Sequence, residues 1–256
     1  MFDINTKKVT EKTRSFIRLV CKKEKTSEVL IGVSGGIDSA TSLTLAVHAL
    51  GKQHVFPVIL PYGVLNNEGI KHAKLVITSL KIPINNVRII NIKPLVDRVI
   101  RYDVEMDKSR KGNIMARIRM IVLFDLSKKL NMLVVGTENK TEHLLGYYTR
   151  FGDEASDIEP IRELYKTQVY KLANYLKVPK EILSKSPTAG LWKGQTDEKE
   201  FGFSYKLADE ILYFYTEKRL SKDKILMKGY DKKIVDKVWW WIDKGEFKNR
   251  MSHILK

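Results

Sequence analysis

Val29-Leu30-Ile31 runs directly into Gly32-Val33-Ser34-Gly35-Gly36-Ile37-Asp38-Ser39, and Ala40-Thr41-Ser42-Leu43-Thr44-Leu45-Ala46-Val47 follows. The order predicts a strand, a tight glycine turn and a helix start. In that geometry backbone N–H groups and the positive end of a helix dipole converge on one point, which makes the turn an anion site suited to phosphate. Two glycines let the backbone approach closely, because neither carries a Cβ. Ser34 and Ser39 add hydroxyl groups. Asp38 places a carboxylate beside the anion, an arrangement that is repulsive unless a cation lies between them, so Asp38 reads as a magnesium ligand. The Gly-Lys-Ser/Thr ending of a Walker A loop and the spacing of a dinucleotide fingerprint are both missing.

Outward from this turn, apolar strands alternate with helices. Val9, Phe16, Ile17 and Val20 mark an amphipathic helix within 1–25, and Gly51 closes the helix that follows the turn. Short apolar runs at 54–60, 87–90 and 132–135 predict three more strands, with helices over 66–80 and 114–130 between them. This alternation predicts an α/β fold, a doubly wound, Rossmann-like parallel sheet flanked by helices. Ligands of such sheets bind outside the carboxyl ends of the strands, so the turns after Val33 and Val135 should share one crevice. Beyond Pro160 the chain reads as mainly helical, broken by the polar stretch 184–197. A single domain over 1–256 is expected, with a nucleotide-binding core at about 25–160 and a helical part at about 161–256.

Of the 256 residues, 43% are hydrophobic and 30% charged, as in soluble globular proteins. No apolar run approaches the roughly 20 residues of a membrane helix, and the N-terminus has no apolar signal core, so a cytoplasmic protein is expected. Cys21 is the one cysteine, which excludes an internal disulfide or a Cys-x-x-Cys pair. The net charge of +16 is spread along the chain and thickens over 218–256, where basic residues alternate with apolar ones at helical spacing. A solvated helix face accounts for that pattern, and no nucleic-acid partner is expected.

The stretch Gly136-Thr137-Glu138-Asn139-Lys140-Thr141-Glu142 begins at a strand end. Taken alone it is an N-cap and first helical turn. Its position after a buried strand makes Glu142 a candidate second carboxylate for the magnesium ion, and Thr137 a candidate hydrogen-bonding group for a nucleotide. The aperiodic stretch Gly146-Tyr147-Tyr148-Thr149-Arg150-Phe151-Gly152-Asp153-Glu154-Ala155-Ser156-Asp157 has the length of a functional loop. Lys166 follows in a helix, as a point charge within reach of phosphate. Arg117 and Arg119 point to different faces of their helix, leaving one for a substrate and the other for packing or pairing.

With these residues assembled, the chain resembles the ammonia-dependent NAD synthetases. Ser34 to Ser39 alone resembles the pyrophosphate loop of the wider ATP pyrophosphatase group. The narrower likeness rests on Gly112-Asn113 with Ala116-Arg117-Ile118-Arg119-Met120, on Gly136-Thr137 with Glu142, on Gly146 to Asp157, and on Thr188-Ala189-Gly190-Leu191-Trp192 with Gly194-Gln195-Thr196-Asp197-Glu198. The resemblance implies a ligase that amidates nicotinic acid adenine dinucleotide (deamido-NAD) to NAD. ATP adenylates the nicotinate carboxylate with release of pyrophosphate, and ammonia then displaces AMP. It implies that Gly32, Val33, Ser34, Gly35, Gly36, Ile37, Asp38, Ser39, Thr137, Lys166 and Thr188 bind ATP, and that Asp38 and Glu142 hold Mg2+. It further implies that Arg117, Arg150, Asp157, Phe247 and Lys248 contact the dinucleotide. Asp38, Glu142, Lys166 and Asp153 form the candidate catalytic set; Asp153 and Asp157 are candidates for handling the ammonium proton or orienting the nicotinate end.

Two positions depart from the family. Arg150 stands where lysine is usual, and Phe247 replaces a histidine, keeping a ring but losing its hydrogen bond. A glutaminase domain, which needs a nucleophilic cysteine, is not expected beside the synthetase domain, so the nitrogen is expected to come from free ammonia, the preferred reading, or from a separate partner subunit. The resemblance also implies a homodimer, with the helix 114–130 and its neighbours as candidate interface. The tryptophans at 239–241 read as core packing of a terminal helix. Two rivals share the loop. A tRNA-thiolating enzyme delivers sulfur through cysteines, which a lone Cys21 does not favour, and a nonenzymatic nucleotide-binding module needs no joint presence of Glu142, Lys166 and Thr188.

Overall fold

The computed structural model describes every residue except Met1, Phe2, Lys193, Met251, His253 and Lys256. Helix α1 (Thr6–Lys23) is capped by the Asn5 side chain, and strand β1 (Val29–Gly32) leads into α2 (Ile37–Leu50). There follow β2 (Val55–Ile59), α3 (Asn67–Ser79), β3 (Arg88–Ile89), α4 (Lys93–Ile100), α5 (Lys108–Leu130) and β4 (Leu133–Val135). All strand pairs are parallel, in the order β3-β2-β1-β4. From β1 the chain adds β2 and β3 on one side, then returns past β1 to lay β4 on the other. Connections leaving β1 and β4 therefore diverge and open a crevice beyond their carboxyl ends.

Burial explains why the strands read as continuous apolar runs. Val29 and Ile31 join a core with α1, α2 and α7 (Lys166–Tyr175), while Leu30 between them joins a second core formed with α4 and α5. Val55 and Ile59 against Val58, and Val135 against Val134, divide in the same way. Both faces are covered, so alternation of side chains produces no polar alternation in the sequence. Each such fully buried Ile or Leu contributes about 1.5–3 kcal/mol. A third core joins α6 (Lys140–Leu145), α9 (Asp197–Phe201), α10 (Tyr205–Thr216), α11 (Lys222–Leu226) and α12 (Lys232–Glu246). Helix α8 (Lys180–Leu183) packs on α2 and α7.

The expected doubly wound sheet is present, with several boundaries moved. The strand expected at 87–90 shrinks to Arg88 and Ile89, both exposed, because β3 is an edge strand paired only with β2. Helix α4 has no counterpart in the sequence reading. Helix α5 begins at Lys108 and not at 114, because the Asp107 side chain accepts from Arg110 N–H at 2.8 Å and caps an earlier start. Trp239 and Trp241 pack against the third core as expected, whereas Trp240 is 54% exposed.

Where α6 ends, Gly146 takes a positive φ of 62° and meets α12 backbone to backbone: a Cβ on Gly245 would lie 2.6 Å from the Gly146 Cα. Gly245→Ala is therefore expected to cost about 1–3 kcal/mol and lower Tm by several degrees. Thermal unfolding followed by circular dichroism checks this; an unchanged Tm would show that the crossing has slack.

Candidate active site

Helix α2 starts at Gly36 with no side chain capping its first N–H groups, so its N-terminus is open. The hydroxyls of the preceding turn brace the turn itself. Ser39 Oγ accepts from Ser34 N–H at 3.3 Å and donates to the Gly36 carbonyl at 3.1 Å, and Ser34 Oγ accepts from Gly36 N–H at 3.2 Å. Gly35, at φ 80°, passes so close to α3 that a Cβ there would lie 2.1 Å from the Gly69 carbonyl oxygen. The turn is thus held open toward a cavity of about 520 Å³ that Gly32, Val33, Ser34, Gly36, Ile37, Asp38 and Ser39 line.

At the wall of this cavity lies a buried ion triad. Lys166, the first residue of α7, is 2% exposed. Its Nζ donates to Asp38 Oδ2 at 2.6 Å and to Glu142 Oε1 at 2.9 Å, and it lies 4.9 Å from the centre of the Tyr205 ring. Burial opposes a charge on this amine, but Asp38, Glu142 and Asp197 outweigh it and hold the ammonium protonated. Asn139, fully buried, serves both carboxylate-bearing elements: its Oδ1 accepts from Glu142 N–H at 3.0 Å as the α6 cap, and its Nδ2 donates to Asp38 Oδ1 at 2.9 Å. Position 139 is therefore an N-cap and a site residue at once.

Two more buried acids set this geometry. Asp209 accepts from Thr141 Oγ1 at 2.6 Å and from Thr167 N–H at 2.7 Å, while Lys166 N–H donates to Thr141 Oγ1 at 2.9 Å. The start of α7 is thereby tied to α6 and α10. Asp197 accepts from Ala189 N–H at 3.1 Å, Tyr147 Oη at 3.2 Å and Tyr205 Oη at 2.9 Å, so it fixes the loop that carries Thr188. Asn139, Tyr205 and Asp209 are not among the expected site residues, and Asp197 enters only as part of the block 194–198 that carries the resemblance. Asn139 has a local signal too, its cap spacing three residues before Glu142.

Asp38 and Glu142 fit a magnesium ion. Their oxygens already converge on one cationic atom, the Lys166 ammonium, and Mg2+ commonly takes only one or two carboxylates, with waters and phosphates completing its shell. Thr137, Thr188 and Lys166 line the same cavity, as do Asp153 and Lys248. Asp153 is exposed to the cavity that it lines. Its carboxyl accepts from Thr149 N–H at 2.9 Å, and desolvation by the surrounding protein raises its pKa. Lys248 Nζ donates to the carbonyls of Gly146 and Tyr148 at 2.6 and 2.7 Å, and burial lowers its pKa.

The remaining candidates do not line this cavity. Arg117 is exposed and donates to the Arg150 carbonyl at 3.3 Å; its neighbour Arg119 lines the cavity instead, donating to the Leu60 carbonyl at 3.0 Å. Arg150, with Lys248, borders a second recess of about 270 Å³. Asp157 Oδ2 accepts from Val134 N–H at 2.8 Å and so binds the β4 backbone. Phe247 is 57% exposed and borders neither recess.

Known proteins share this architecture. Residues 9–252 match the family model described as NAD synthase. The NH(3)-dependent NAD(+) synthetase of Fusobacterium nucleatum is 44% identical over 254 residues, covering 99% of this chain and 97% of that protein. The structure described as NMN synthetase from Francisella tularensis superposes with a TM-score of 0.86 at 32% identity, covering 99% of each chain. The NH3-dependent NAD synthetase from Campylobacter jejuni, solved with the nitrate ion, gives 0.83 at 32% identity, covering 99% of this chain and all of that one.

Asp209→Ala removes the acceptor shared by Thr141 and Thr167 and leaves two donors unpaired near the base of Lys166. A loss of about 1–3 kcal/mol per donor is expected, read as a lower midpoint in urea unfolding. A parental midpoint would mean that α7 needs no such anchor.

Proposed function

The chain belongs to the NAD synthase family, and from that premise we propose that it amidates deamido-NAD to NAD with ammonia and ATP, through an adenylated nicotinate. The observation that carries this reading is the convergence of Asp38, Glu142 and Lys166 beside the open N-terminus of α2 in one cavity. In this reading the turn 32–39 and the first N–H groups of α2 cradle the β and γ phosphates, and Lys166 and Thr188 hold the triphosphate from the facing wall. Mg2+ held by Asp38 and Glu142 supplies the positive charge that the crowded phosphates require. The nicotinate oxygen attacks the α phosphorus and pyrophosphate leaves. Ammonia then attacks the acyl carbon, the bond to AMP breaks, and the nitrogen gives up a proton. Asp153 is assigned that proton, because it opens on the cavity and desolvation makes it a stronger base than an ordinary aspartate. Asp157, engaged with the β4 backbone, is assigned to positioning.

We assign Arg117, Arg150, Phe247 and Lys248 to the dinucleotide end, completed by a second subunit. Helix α5 supports this: of its 23 residues only Gly112, Met115 and Ala116 are buried, although it carries nine large apolar side chains between 114 and 126, six of them half-buried against the second core. Ile121 on α5 and Leu95, Val99, Tyr102 and Val104 beside it are exposed. An apolar face of this extent is suited to a copy of itself. The sheet core and the helical part are read as one domain, since Lys166 joins α7 to α2 and α6. No helix among the described residues is long and apolar enough to cross a membrane, and a cytoplasmic location suits a reaction that consumes ATP.

Purified protein incubated with ATP, magnesium, ammonium and deamido-NAD is expected to yield NAD and AMP in equal amounts. Formation of ADP, or turnover only with added RNA, would overturn the reading. Nicotinate mononucleotide as a parallel substrate tests the acceptor, and faster use of it would replace the dinucleotide in this assignment. Asp38→Asn should lower kcat/KM by about 100-fold or more with the far-UV spectrum unchanged. Sedimentation at micromolar concentration is expected to give a dimer, and Ile121→Asp a monomer; a monomeric parent would remove the two-subunit site.

A further inference from the structure

The position that the two carboxylates offer to a divalent ion is already held by the protein's own cation. Lys166 Nζ lies 2.6 Å from Asp38 Oδ2 and 2.9 Å from Glu142 Oε1, and the lysine is 2% exposed. The second Asp38 oxygen accepts from Asn139 Nδ2 at 2.9 Å, so no carboxylate oxygen of Asp38 is left unpartnered. Magnesium binds oxygen at about 2.0–2.1 Å, and a divalent ion drawn to that distance from both carboxylates would meet an ammonium pressed against the same oxygens in a buried setting. One cation excludes the other.

Lys166 has a second place to go. It is the first residue of α7, so its long stem starts at a helix end and the backbone need not move for the ammonium to swing. It faces the turn 32–39, where the open N-terminus of α2 selects an anion. A polyphosphate bound there offers acceptors that replace both carboxylates. Asp197, whose two oxygens are engaged by Ala189 N–H and two tyrosine hydroxyls, stays in place and keeps the local field negative while the lysine moves.

We propose that Lys166 is a resident counter-ion that keeps the metal position closed until a polyphosphate takes its ammonium, so that divalent metal loads only together with nucleotide. This rests on the assignment of Asp38 and Glu142 as metal ligands. Closure has a physical benefit for the fold as well. Two half-buried carboxylates left unpaired in the nucleotide-free protein would repel one another and be costly to desolvate. The lysine removes that cost, and its departure is tied to the arrival of a ligand that brings its own cation.

The test measures binding of Mn2+, by the electron paramagnetic resonance of the free ion, with and without the α,β-methylene analogue of ATP, which cannot release pyrophosphate. The parent protein is expected to bind Mn2+ at least about 10-fold more weakly alone than with the analogue. Lys166→Met should bind Mn2+ alone at least about 10-fold more tightly than the parent, and Mn2+ without nucleotide should raise its Tm, as expected when a ligand binds only the native state. Lys166→Gln, which keeps a donor to the carboxylates without the charge, serves as the second variant and should shift in the same direction. Variants that bind Mn2+ no better than the parent overturn the proposal. So does a nucleotide-free parent that binds one Mn2+ tightly and loses it on Asp38→Asn, a result that needs no lysine variant to fold. If Asp38→Asn leaves analogue-supported Mn2+ binding unchanged, the metal assignment itself fails, and that outcome is distinct from a failure of the lysine's role alone.

Discussion

An ammonium buried to the extent of Lys166 is tolerable only where acids are delivered to it from several directions, and most of the site follows from that requirement. Asp38 comes from the first turn of α2, Glu142 from the first turn of α6, and the lysine itself from the first residue of α7. Three helix starts meet at one point. The start of α2 leaves its first N–H groups without a side-chain cap, and each start presents the positive end of its dipole, so the place where they meet favours negative charge. Protein carboxylates provide part of it, and the anionic substrate provides the rest. Asn139, Asp197 and Asp209 are the brackets that hold the meeting point: Asn139 joins the start of α6 to α2, Asp197 joins α9 to α10 and to the loop at Ala189, and Asp209 joins α10 to α6 and α7.

The sheet supplies the distance over which this is possible. Because β4 returns on the far side of β1, the turns that leave these two strands stand side by side with nothing laid between them. The acidic positions 38 and 142, more than a hundred residues apart in the chain, are brought within reach of one atom by that reversal. Neither the loop nor the strand end would form a site on the opposite edge of the sheet, where β3 is short and exposed.

Much of this was legible in the chain, and what was not has physical reasons. The strand, turn and helix around Ser34 to Ser39 were readable because glycine, hydroxyl and apolar positions in a row are a local signal. Helix α4 was not, since it is only eight residues long, has no side-chain cap at its start and buries only Val96. Position 166 reads as a point charge within reach of phosphate, a role the resemblance also implies, but its grip on both carboxylates depends on packing between α2, α6 and α7 that no window of sequence contains. Asp209 lies far along the chain in an ordinary amphipathic helix, and only the approach of α10 to α7 gives it work to do. For Arg117 and Arg119 helix periodicity offered two faces without a choice and the resemblance pointed to Arg117, whereas Arg119 is the one that lines the cavity.

The tie made by Lys248 differs in kind from those around Lys166. Its partners are the carbonyl oxygens of Gly146 and Tyr148, groups that every residue possesses. The C-terminal segment thus reads the path of the neighbouring main chain, and it also meets one side chain: Lys248 Nζ lies 5.2 Å from the centre of the Tyr148 ring, and Tyr148 Oη donates to Asn249 Oδ1 at 2.5 Å. Over evolutionary drift, the tail's own aromatic at 247 can change without loosening the carbonyl bonds, provided a lysine stays at 248 and the backbone keeps its course. Such a clasp lets one end of a recognition surface vary its chemistry while its framework remains fixed.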